Sequence, residues 1–75
     1  MNRTDAVDCY SWLLAAWPAA RSQHDEPTVR LWVERLEQLD RPVAVEALET
    51  LSRTCRYVPT LADLDQQVTT IVQRR

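Results

Sequence analysis

Apolar residues recur at three- and four-residue steps in four stretches of the chain, and a proline or polar corner separates each stretch from the next. This spacing predicts four helices, over residues 5–17, 26–39, 41–56 and 61–73. In the first, Val7, Cys9, Tyr10, Trp12, Leu13, Leu14, Ala16 and Trp17, together with Ala6, cover an arc of roughly 220° at about 100° per residue. A surface helix needs only about 100° of apolar stripe. This helix is therefore expected either to be central or to bury one face and offer another to a partner. Trp12 lies at the arc's edge beside Asp5 and Asp8 and is the aromatic expected to stay partly exposed. Thr4 or Asp5 is the expected cap, and Pro18 the stop.

Val29, Trp32, Val33, Leu36 and Leu39 put a core stripe on the second helix, which Asp25 caps with Pro27 in its first turn. Glu26 and Arg30 stand as a favourably ordered i,i+4 pair. Leu31 falls off the stripe, among polar neighbours. Asp40 and Pro42 open the third helix. Its inner face is Ala44, Ala47, Leu48, Leu51 and Cys55, and its outer face Glu46, Glu49, Arg53 and Arg56, with Glu49 and Arg53 a second ordered pair. The fourth turns Leu64, Val68, Ile71 and Val72 inward, and Asp63, Gln66, Thr69, Thr70 and Gln73 outward. Arg74 and Arg75 suit the negative end of its dipole.

The corner Arg56-Tyr57-Val58-Pro59-Thr60-Leu61-Ala62-Asp63-Leu64 carries the clearest local signal. Pro59 forces Val58 out of the α region, so the third helix must end near Arg56 or Tyr57. Thr60 and Asp63 then have capping-box spacing, with Asp a shorter acid than the usual Glu.

Composition narrows the fold and then stops helping. Seventy-five residues make one domain near the lower size limit for a core without disulfides or metal. Glycine is absent, which disfavours tight hairpins, phosphate-cradling loops and dinucleotide fingerprints together. The expected fold is all-α: a compact four-helix orthogonal bundle in a single domain. Eleven acids against nine bases, all nine of them Arg, give a net charge of −2 with signs alternating along every segment. Direct binding of nucleic acid would call for a positive stripe that this pattern lacks. No stretch has the length and apolarity of a membrane span or of a leader's apolar core, so a cytoplasmic setting is expected.

Catalytic chemistry finds no foothold in the spacing. Cys9, Cys55 and the single His24 form no metal set, and no nucleophile, base and acid stand in a workable order. Both cysteines fall on apolar faces and are expected reduced and mostly buried, and His24, in the polar connection 18–25, is expected to be solvated. No cofactor is expected, and no enzymatic activity.

Taken together, four segments resemble the phage replicative helicase loader/inhibitor family. They are Trp17-Pro18, Thr28-Val29-Arg30-Leu31-Trp32-Val33-Glu34-Arg35-Leu36, Val45-Glu46-Ala47-Leu48 and Tyr57-Val58-Pro59-Thr60-Leu61-Ala62-Asp63-Leu64. Members typically show an aromatic-Pro after the first helix, a Trp-x-x-x-Leu segment, an apolar third helix and an aromatic-x-Pro-Thr-Ile-Ala-Asp-like close. Trp17 stands where Tyr is usual, and Leu61 where Ile is frequent. The resemblance implies a small helical bundle that binds the bacterial replicative helicase and loads or inhibits it. Members also carry a C-terminal tail implicated in helicase contact, whereas this chain ends at Arg75, which implies contact through the folded surface. Trp12, Leu31, Arg56 and Tyr57 are the partner-binding candidates, since aromatic and Arg side chains supply most interface energy. Two rivals stand beside this reading: an inhibitor of another host protein, and a helix-turn-helix DNA binder, which Asp63 and Asp65 at the start of the last helix oppose. Self-association is left open.

Overall fold

The computed structural model describes residues 1–74, and among them every regular element is helical: α1 (Arg3–Ala16), α2 (Ala20–Gln23), α3 (Glu26–Glu37), α4 (Arg41–Thr54) and α5 (Leu61–Arg74). The all-α class stands, but the helix count of four is corrected to five. The polar connection after Trp17 contains one α-helical turn, α2, whose Ala20 is fully buried. Helix α1 packs principally on α3, and α4 on α5, with α1 against α4 joining the two pairs. Within each pair the helices run in opposite directions. Arg3 near the start of α1 meets Glu37 at the end of α3 (2.6 Å), and Arg74 at the end of α5 meets Glu46 near the start of α4 (3.0 Å). Helices α1 and α4 run the same way. Asp5 and Arg41 pair at their starts (2.8 Å), and the Trp17 indole N–H donates to the Cys55 carbonyl at their ends (3.3 Å).

The expected core residues Trp32, Leu36, Leu48, Leu51 and Leu64 are all buried in one cluster with Leu13 and Ile71, and Val68, Val29 and Leu39 pack against it half-buried. Ala44 and Ala47 are fully buried, as small side chains between packed helices. Val72 departs from expectation, being 56% exposed. About 100° round the helix from Ile71, it falls beyond the stripe that α4 covers. Val43 takes the inward position that the pattern did not assign.

Local signals at the helix ends hold unevenly. Asn2, not Thr4 or Asp5, caps α1: its backbone is extended and its side-chain oxygen accepts from the Asp5 N–H at 2.8 Å, which leaves Thr4 and Asp5 inside the first turn. Asp25 caps α3 as expected through the Thr28 N–H (3.0 Å) and hydroxyl (2.6 Å), and these bonds hold its carboxyl below the ordinary range. Asp40 has cap geometry without a side-chain bond. Thr60 and Asp63 close the capping box in both directions, at 2.9 and 3.2 Å, so the shorter acid suffices. Helix α3 ends at Glu37 rather than residue 39, where the Met1 ammonium donates to the Glu37 and Leu39 carbonyls at 2.8 and 2.7 Å. Helix α4 ends at Thr54 rather than residue 56, because an extended Cys55 turns its carbonyl out of the helix toward the Trp17 indole. Of the two helical ion pairs expected, Glu26–Arg30 closes loosely at 3.9 Å, and Glu49–Arg53 does not form among the described residues. Arg35 instead bridges α3 to Asp65 of α5. Arg75 lies outside the described residues.

His24 is corrected too. It is not solvated: α2 folds the chain back so that the ring stacks between Tyr10 of α1 (5.9 Å) and Trp32 of α3 (6.0 Å). Nδ1 shares a 2.7 Å hydrogen bond with the Tyr10 hydroxyl. Burial lowers the His24 pKa from its ordinary 6.5 and raises that of Tyr10.

Candidate interaction surface

Helix α1 resolves its wide apolar arc by burying only the middle. Ala6, Cys9, Tyr10 and Leu13 face the core, while Trp12 at one margin and Val7 at the other remain 42% and 44% exposed. The margin that carries Trp12 faces α4. Between the two helices lies a cleft of about 130 Å³ lined by Asp8, Cys9, Trp12, Arg41, Val45 and Leu48. Val45, one step off the inward stripe of α4, is 37% exposed, and Leu48 closes the floor. Because Asp8, Trp12 and Ala16 are spaced four apart, they form one ridge of α1. Ala16 at its far end belongs to a second recess, of about 500 Å³, with Trp17, Pro18, Arg56 and Tyr57. The two recesses thus share a wall and form one groove along α1 and α4.

The α4–α5 corner shapes the far end of that groove. The capping box fixes the start of α5, Pro59 is buried, and Val58 packs half-buried against the core. With its neighbours turned inward, Tyr57 stands 83% exposed beside an exposed Arg56. The aromatic-Pro step has a structural role instead. Trp17 is buried and ties the end of α1 to the end of α4 through Cys55.

Of the four residues singled out in the sequence, the structure therefore brings Trp12, Arg56 and Tyr57 onto one groove, and it sets Leu31 apart. Leu31 is 54% exposed and lines a different recess, between α3 and α5, with Arg35, Leu39, Asp65 and Val68. Val45 and Asp8 escaped the sequence reading. The signal for Val45 was an apolar side chain out of phase with Ala44, Ala47, Leu48 and Leu51. The charges are unevenly used: Asp5 and Arg41 are tied to each other, whereas Asp8 and Arg56 have no ion partner among the described residues. Cys9, under the cleft, is a buried free thiol whose pKa burial raises, and Cys55 is free and half-buried.

Aromatic anchors, apolar walls and unpaired rim charges are the side chains protein interfaces use. Among the described residues, no group of His, Cys, Asp and Glu is placed to hold a metal ion, and no helix is long and apolar enough to cross a membrane. The fold and this surface together define a small all-helical domain of the protein-interaction class. Its lineage is specific: the family model for the N-terminal domain of a phage helicase-binding protein matches residues 1–65, and the chain belongs to that family, the phage helicase loader/inhibitor family that the sequence motifs resemble. That N-terminal domain binds helicase and is not itself a catalytic family. No curated protein and no solved structure matches the chain.

Proposed function

We propose that the protein binds the bacterial replicative helicase in the host cytoplasm and, without catalysis of its own, either loads it onto DNA or withholds its activity. The observation that carries this reading is the family match across residues 1–65, which runs through the corner that presents Arg56 and Tyr57. Trp12, Arg56 and Tyr57 make the contact along the α1/α4 groove, and Leu31 serves any second contact from the α3/α5 recess. Direct DNA binding fits poorly. Helix α5 opens with Asp63 and Asp65, the first spent on the cap and the second on Arg35, and brings no base before Arg74. Size-exclusion chromatography of the purified host helicase with this protein should give a shared peak, and forked-DNA unwinding by that complex then separates a loader, which raises the rate, from an inhibitor, which lowers it. Separate elution at micromolar concentrations would sink the helicase reading and leave another host protein as the target.

A further inference from the structure

The α1/α4 groove has an apolar floor and two ends of opposite charge. Cys9 and Leu48 make the floor, and Trp12 and Val45 rise on either side, both still partly exposed. At the end near the helix starts, Asp8 is without an ion partner, and at the end near the helix finishes so is Arg56, among the described residues. Both charges sit where a ligand lying along the groove would reach them. From Asp8 to Ala16 the ridge runs about 12 Å, and the recess beneath Tyr57 extends it, so it suits a segment of about three helical turns.

We propose that this groove seats an amphipathic helix of the partner, running in the same direction as α1, with a basic residue at its start against Asp8 and an acidic residue at its end against Arg56. The direction follows from two effects of the same sign. A helix N-terminus is its positive end and is favoured beside Asp8, and its negative C-terminus is favoured beside Arg56. Apolar side chains at i, i+3 or i+4 and i+7 fill the cleft between Trp12 and Val45, as in other helix-in-groove interfaces. The inference rests on the helicase reading above, and the α3/α5 recess and a second copy of this chain are its competitors for the role.

Calorimetric titration of the intact chain into purified host helicase tests it with four variants: Val45→Asp, Arg56→Glu, Trp12→Ala and Leu31→Asp. All four sites are exposed, and circular dichroism establishes that each variant is folded. Val45→Asp and Trp12→Ala are expected to weaken binding at least about tenfold and Arg56→Glu about fivefold, with Leu31→Asp unchanged. Parent-like affinity in Val45→Asp and Arg56→Glu overturns the groove while the helicase reading stands, and a loss confined to Leu31→Asp moves the contact to the α3/α5 recess. Failure of the parent itself to bind overturns both together. Dimerisation of the parent that Val45→Asp abolishes, with helicase affinity intact, gives the groove to a second copy and overturns the helix assignment.

Discussion

Trp17→Phe isolates the contact that holds the two helical pairs together at their ends. The phenyl ring keeps most of the apolar packing at a site 6% exposed, but it removes the indole N–H that donates to the Cys55 carbonyl. Losing a hydrogen bond of this kind costs about 1 kcal/mol. The smaller ring costs about another 1 kcal/mol in buried area and imperfect packing. Cys55 is only half-buried, so water can reach its carbonyl and the desolvation penalty stays at the low end. The sum, about 2 kcal/mol, is a large share of the total stability of so small a domain. Thermal melts followed by far-ultraviolet circular dichroism should place the variant about 8–16 °C below the parent. Trp12→Phe serves as the comparison, since Trp12 is 42% exposed and makes no hydrogen bond among the described residues that the change would break, and its melt should stay within about 2 °C. Equal melting of Trp17→Phe and parent would refute the assignment of Trp17 as the tie between α1 and α4.

The core, the stacked imidazole and the thiols each support a further test. Leu51→Ala, at a site 2% exposed, should cost about 2–5 kcal/mol by urea titration, and a parent-like midpoint would contradict the core assignment. His24 is held below its ordinary pKa of 6.5 by burial, so the unfolded chain takes up the proton first. Its contribution is therefore complete above pH 6.5 and is lost as pH falls from there toward the folded pKa. The urea midpoint should drop between about pH 7.5 and 5.5 in the parent and stay nearly level in His24→Gln, whereas parallel curves would remove His24 from the account. Native alkylation followed by mass spectrometry should modify Cys9 slowly and Cys55 faster, in line with their burial, and rapid labelling of Cys9 would place it outside the core.

Periodicity and punctuation made the four long helices legible, because each ends at a proline or an aspartate cap whose effect is local. The capping box at Thr60 and Asp63 is the clearest case, since both of its bonds join residues three apart. What the sequence withheld depends on contacts between distant segments. His24 reads as solvated because nothing within a few residues signals that α2 will deliver it between Tyr10 and Trp32. The Cys55 carbonyl ends α4 early for the sake of an indole far back in the chain. Trp12 was recognisable as marginal from its place on the arc of α1. Its grouping with Arg56 and Tyr57, and the separation of Leu31, required knowing that α1 lies alongside α4 and that α3 turns its Leu31 side to α5.

The central claim is that this domain engages a replicative helicase through its folded surface. Isothermal calorimetry against the purified host helicase, with ATPase turnover followed in parallel, tests it most directly. Saturable heat and a changed ATPase rate are expected, both diminished in Trp12→Ala while that variant melts like the parent. Folded parent protein giving no heat and no change in ATPase activity would contradict it.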